Sequence, residues 1–232
     1  RNYTRLEETQ GESFGITGQV SAEHIKVNKL TMGPAVFSTV ADVVSLGHLE
    51  QVRGIKIMGL MGVGFFKEFE FIIDFENGRI HMRHLKKRKN LPFNPLLADT
   101  SKYVAYPIRL VENKILMYPV VAGKKLTILV DTGAESSLLD SRLPQAILEQ
   151  VEPRKMVRLH GAGTKMVEAL AGSFKSFQFG GLQVADLSVV VTNLEKICYA
   201  YQHCLHGILG IDFLSKYKLG FNFTNGKMYI WK

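Results

Sequence analysis

A mainly β chain built as two similar lobes is the fold class this sequence predicts, and three observations carry the prediction. Short apolar runs are interrupted at close intervals by Gly, Pro, Asn and Asp, which is the punctuation of strands and turns, not of long helices. Two Asn-Gly pairs, Asn77-Gly78 and Asn225-Gly226, each lie between alternating apolar runs, and such pairs favour hairpins with type I′ turns. The third observation is a repeat. Gly59-Leu60-Met61-Gly62-Val63-Gly64-Phe65-Phe66 aligns with Gly207-Ile208-Leu209-Gly210-Ile211-Asp212-Phe213-Leu214, and the alignment continues without a gap, at an offset of 148, until the two Asn-Gly pairs coincide. One supersecondary unit thus occurs twice.

Each element follows from local pattern. Gly15-Ile16-Thr17-Gly18 reads as a hairpin tip or a plain surface turn, and residues 24–30 as a strand whose alternation matches residues 176–182. Short helices are expected over 64–69 and 212–217, directly after the two glycine motifs. The first lobe is assigned to residues 1–84 and is expected to lack its opening strands. Residues 85–101, rich in Lys, Pro and Asn, form a linker, and the second lobe spans 102–232. In that lobe, strands over 103–110 and 115–121 turn at Glu112-Asn113-Lys114, and Ala122-Gly123-Lys124 turns into a buried strand over 126–130. Residues 141–151 read as a helix with Ser141 as N-cap, started near Pro144.

Composition sets further bounds. With 232 residues and 46% hydrophobic content, the chain can bury one large core or two small ones. Its uncharged stretches fall short of the ~20 apolar residues that a membrane-spanning helix needs, so no membrane span is expected. The chain opens on Arg1 with no charged-then-apolar leader. The net charge of +8 is uneven, with a dense run at Lys86-Lys87-Arg88-Lys89. That run could bind nucleic acid or an acidic membrane surface, but beside Pro92, Asn94 and Pro95 it reads as a solvated linker, and no nucleic-acid partner is expected. Cys198 and Cys204 are close enough for a small-loop disulfide in an oxidising compartment or stand as free thiols; an exported location is preferred to a cytoplasmic one. Together with His203 and His206 they fall within nine positions and lack the two separated pairs of structural zinc sites. No metal and no cofactor are expected.

Chemistry concentrates where the strand over 126–130 delivers Asp131-Thr132-Gly133-Ala134 to the tip of a tight turn, with Gly133 allowing the bend. Ser136 and Ser137 continue the loop and can satisfy backbone donors. Downstream by 76 residues comes Gly207, opening the apolar-apolar-Gly segment Ile208-Leu209-Gly210, where a missing side chain permits close backbone approach. These motifs, together with a glycine-rich hairpin at His160-Gly161-Ala162-Gly163, resemble the bacterial family of retropepsin-like aspartyl proteases over residues 103–230.

The resemblance implies acid-protease lobes built as closed barrels and an endopeptidase acting on peptide or protein substrates. It makes Asp131 one of a catalytic pair sharing a water, with Thr132 and Gly133 supporting the loop and Ala134 near the substrate floor. It makes residues 160–163 a flap over bound peptide, and Leu60, Met61 and Gly62 the first lobe's copy of the loop-packing motif Ile208, Leu209 and Gly210. A lone carboxylate of ordinary acidity is a poor general base and has no acid beside it. Asp42, Asp74 and Asp99 lack the following glycine, and by the repeat an equivalent of Asp131 falls before Arg1. The second carboxylate is therefore expected from a missing N-terminal segment or a second copy of the chain; the alternative is a non-catalytic peptide-binding or dimerisation module.

Overall fold

The computed structural model describes residues 3–15, 18–32, 35–85, 94–160 and 166–232. Ile16 and Thr17, the basic run Lys86 to Lys89, and Gly161, Ala162 and Gly163 lie outside the described residues. In chain order the elements are β1 (Tyr3–Gly15), β2 (Gly18–Met32), β3 (Ala35–Val43), α1 (Gly47–Arg53), α2 (Val63–Phe66), β4 (Phe69–Asp74) and β5 (Arg79–His84). After two single-turn 3-10 helices come β6 (Tyr103–Val111), β7 (Lys114–Met117), β8 (Val120–Val121), β9 (Lys124–Lys125), β10 (Ile128–Val130) and β11 (Leu138–Asp140). The chain ends with α3 (Gln145–Leu148), β12 (Val151–His160), β13 (Met166–Phe179), β14 (Leu182–Thr192), α4 (Glu195–Tyr201), β15 (Gly207–Leu209), α5 (Ile211–Leu214), β16 (Leu219–Asn222) and β17 (Lys227–Trp231). The chain is mainly β.

Two compact units are formed. The first comprises Arg1–Met61 with His160–Val167, the second Gly62–Leu159 with Glu168–Lys232. In the first, β1, β2 and β3 form an antiparallel sheet in sequence order, with Gly15 opposite Gly18 where β1 turns into β2. Helix α1 ends on Gly54, whose left-handed φ of 65° lets its N–H donate to the Glu50 carbonyl. Glu50 then accepts from the Ile57 N–H through its side chain at 2.9 Å.

The second unit is organised on a sheet of twelve strands in the order β12-β13-β14-β11-β15-β10-β7-β6-β17-β16-β4-β5. Among the described residues this order is open and no closed barrel forms, unlike the expectation. Its core includes Met117, Leu126, Phe174, Phe213, Leu214, Leu219 and Met228, all fully buried. Buried polar groups are paired: Glu70 accepts from Arg83, Asn94 and Asn222 at 2.7–2.8 Å, as burial of a carboxylate demands.

Helices α2 and α5 start 148 positions apart, Val63 against Ile211, and so do β5 and β17, Arg79 against Lys227, whereas β4 and β16 start 150 apart, Phe69 against Leu219. Strands β4 and β16 pair with each other, Leu219 opposite Ile73, Gly220 opposite Ile72 and Phe221 opposite Phe71. The Phe71 and Phe221 rings stack there at 5.0 Å.

Both Asn-Gly hairpins form, but not with type I′ turns. That turn needs positive φ at both central residues, and only Gly78 and Gly226 have it. The reason is a side-chain bond: Asp74 and Asn222 accept from the N–H of Asn77 and Asn225, holding a longer loop. Consecutive positive φ occurs instead at Glu112-Asn113 and Ala122-Gly123. The expected helix over 141–151 shrinks to α3, which starts directly after Pro144, and Val151 already opens β12. The strand read over 176–182 before a turn is the end of β13, which stops at Phe179, with the turn at Gly180 and Gly181, both at positive φ.

Candidate active site

Asp131 owes its position to a three-residue strand held on both sides. Strand β10 runs parallel to β15, Val130 opposite Leu209, and antiparallel to β7, Val130 opposite Ile115. The Asp131 N–H donates to the Leu209 carbonyl at 3.0 Å, the last bond of that ladder. The chain then turns. The N–H of Gly133 donates to Asp131 Oδ1 at 2.8 Å and that of Ala134 to the Asp131 carbonyl at 3.2 Å. Asp131 is half-buried, while Thr132 and Gly133 are exposed.

The loop rests on the second glycine motif. A Cβ on Gly210 would lie 2.7 Å from the Ser136 carbonyl carbon and 2.8 Å from the Ala134 oxygen, distances that only a glycine permits. The Ala134 carbonyl accepts from the Ile211 N–H at 2.8 Å. Ser137 Oγ accepts from the Gly210 N–H at 3.0 Å and donates to Asp212 Oδ1 at 2.8 Å. One buried hydroxyl therefore ties the loop to both the glycine and the first turn of α5.

Two residues near Asp131 carry no signal in the sequence. Beyond the Val130–Ile115 pair, the next residues on the two strands are Asp131 and Lys114. The Lys114 ammonium stands 4.9 Å from the centre of the Tyr201 ring and 3.0 Å from Glu112 Oε2. Tyr201, last residue of α4, has its phenol pushed up by burial and then by the negative charge of Asp131. Neither could be found from spacing, since α4 meets β10 only through tertiary folding.

The other sequence candidates lie elsewhere. His160 closes β12, and the rest of the glycine-rich hairpin is outside the described residues. Cys198 and Cys204 are free thiols. Cys198 Sγ accepts from the Leu205 N–H at 3.1 Å, and His206 Nδ1 accepts from the Thr127 N–H at 2.9 Å. Burial and the Lys124 charge lower the pKa of that imidazole. Among the described residues no group of three or more His, Cys, Asp or Glu is arranged to hold a metal ion.

The family model described as aspartyl protease matches residues 119–213, which includes the Asp131 turn and Gly210. A crystal structure of a retropepsin-like aspartic protease from Rickettsia conorii is similar at 16% identity and a TM-score of 0.38, covering 55% of this chain and 89% of that one. The curated proteins gave no match. The family-model match supports a protease-type reading of residues 119–213.

Proposed function

We propose that this chain carries one half of an aspartic peptidase site, with Asp131 as one carboxylate of a catalytic pair. The observation that carries the reading is the Asp131 turn, fixed by the Leu209 carbonyl and packed on Gly210 inside the segment matched by the aspartyl protease family model. In such a pair, one ionised carboxylate takes a proton from the shared water as that water attacks the scissile carbonyl. The other, protonated, donates a hydrogen bond to the carbonyl oxygen. Like charges about 3 Å apart cannot both ionise, so the pair shares one proton. Thr132 and Gly133 hold the loop, Ala134 faces the floor, and residues 160–163 close over the peptide.

The two-lobe organisation belongs to the same proposal, and the first copy of the glycine motif supports it by being bare. Leu60 is 70% exposed where its counterpart Ile208 is 5%, and Met61 is 43% exposed where Leu209 is 2%. Among the described residues, nothing lies within 4 Å of a Cβ built on Gly59 or Gly62. In the second copy that space holds β10, β11 and the Asp131 loop. In this reading the place is taken by a strand followed by an aspartate-bearing turn that the described residues do not supply. A second copy's β10 is clamped between its own β7 and β15 and is not free to fill the place.

Incubating the full-length protein with an unfolded polypeptide at mildly acidic pH tests the reading. Cleavage is expected to fall at least about a thousandfold in Asp131→Asn, on the scale of losing an essential general base, with unchanged circular dichroism; undiminished cleavage would sink it. A single Asp-Thr-Gly in the 232 residues favours a second reading, a peptide-binding module without turnover. Tight binding of a statine-type inhibitor, whose hydroxyl takes the place of the shared water, requires both carboxylates; weak binding to the full-length protein favours the module.

A further inference from the structure

A cavity of about 550 Å³ opens where β7 parts from β6, lined by Tyr106, Pro107, Ile108, Arg109, Tyr118, Lys125 and Thr127. Its origin is a change of partner along one strand. Pro107 of β6 pairs with Lys227 of β17, whereas Ile108 pairs with Met117 of β7. After Met117 the chain leaves the ladder, passes through Tyr118, and doubles back as the β8–β9 hairpin, closed by the Leu126 N–H donating to the Pro119 carbonyl at 2.8 Å. The wedge left between β6 and this hairpin is the cavity.

The hairpin brings two cations to one ring. Lys125 Nζ stands 5.1 Å and Arg109 Cζ 5.9 Å from the centre of Tyr118. Among the described residues neither makes an ion pair with a carboxylate. Two like charges sharing one aromatic ring repel, and an anion seated beside them removes that cost. The volume far exceeds what a single small ion fills, since a water claims about 30 Å³ of liquid. Half the lining is apolar or aromatic, which suits an occupant with a carbon stem behind its charge. A planar guanidinium matches a carboxylate through paired donors.

We propose that this wedge is a binding subsite for the carboxylate side chain of an acidic peptide, separate from Asp131. Thr127 lies on its wall and Asp131 four residues further along the same strand segment, about 13 Å by strand rise. The subsite does not depend on turnover at Asp131, so it survives failure of the peptidase reading.

Fluorescence anisotropy of the full-length protein with a labelled hexaglutamate peptide, against a hexaglutamine control, tests the assignment. The acidic peptide is expected to bind and the control not, with affinity falling as salt rises above about 0.1 M, where the screening length is about 10 Å. Arg109→Gln with Lys125→Gln is expected to weaken binding about tenfold, the scale of two partly exposed ion pairs. Arg109→Lys with Lys125→Arg, which keeps the charges, is expected to retain most of it. Equal binding of both peptides would overturn the assignment. So would loss only when Lys86, Lys87, Arg88 and Lys89 are neutralised, or displacement by inorganic phosphate at concentrations matching the peptide, which marks a free-anion site.

Discussion

Gly210 and Gly62 end similar apolar-apolar-Gly segments of the sequence yet face opposite surroundings. Both have ordinary extended backbone, φ −95° and −79°, so conformation does not demand glycine at either. Space does at one of them. A methyl group on Gly210 meets backbone atoms at 2.7–2.8 Å, and backbone cannot step aside as a flexible side-chain end can. Gly210→Ala is therefore expected to destabilise the fold by about 1–3 kcal/mol, read as a lower urea midpoint, and to reduce activity by displacing the Asp131 turn. Gly62→Ala is expected to leave the midpoint within about 0.5 kcal/mol of the original. A comparable loss in both variants would mean that Gly62 is covered in the isolated chain. At this scale the sequence was legible where chemistry is local: the turn, its glycine and the apolar pair before Gly210. Ser137 was legible as a hydroxyl able to satisfy backbone donors, but its partners Gly210 and Asp212 were not, nor were Lys114 and Tyr201, because such side chains announce no neighbour until tertiary folding chooses it.

Strands β4 and β16 join the two Asn-Gly hairpins, and one ion pair locks that join. Lys218, just before β16, donates to Asp74 Oδ2 at 3.0 Å, while Asn77 donates to Oδ1 through both its side chain and its backbone. The Lys218 hydrogen bond first, and then Asn77, lower the Asp74 pKa from 3.8 to about 2. A depressed carboxylate pKa contributes stability that is full above the unfolded value and lost as pH falls through the folded one. The contribution is thus intact at pH 5 and lost between about pH 4 and 2. Unfolding of Asp74→Asn followed against pH is expected to show a stability deficit at pH 6 that closes by pH 2; a deficit constant across that range would refute the linkage. The hairpins themselves were foreseen from their Asn-Gly pairs. Their turn type was not, since it depends on Asp74 and Asn222 reaching back to the turn, a competition between side chain and backbone that a dipeptide does not reveal.

For the molecule as a whole, the bare motif at Gly59 to Gly62 predicts complementation. A synthetic peptide copying residues 124–137, which contains the apolar strand and the Asp131 turn, is expected to bind the full chain and raise its melting temperature by mass action. Gly62→Leu is expected to abolish that shift and Asp131→Asn in the protein to leave it. No shift at a large excess of peptide would count against an unfilled strand position. The mainly β class was readable because period-2 alternation and turn residues are written locally. The course of the long sheet was not. Its order sets β11 between β14 and β15 and β6 beside β17, adjacencies that depend on which apolar faces meet after collapse, and the first unit's three-stranded sheet likewise has no fingerprint beyond alternation.

The β4–β16 pairing also sets a timetable. Phe71 and Phe221 stack across it, and 150 residues separate them along the chain. At about 5–20 residues per second of synthesis, β4 leaves the ribosome roughly 10–30 s before its partner exists. During that interval the β4–β5 hairpin presents an unpaired edge and the apolar Phe71 and Ile72 to whatever is nearby, the condition under which strands associate wrongly. Nascent chains stalled before Leu219 should therefore be captured by holding chaperones and cut readily by added protease. Chains released after Trp231 should resist both.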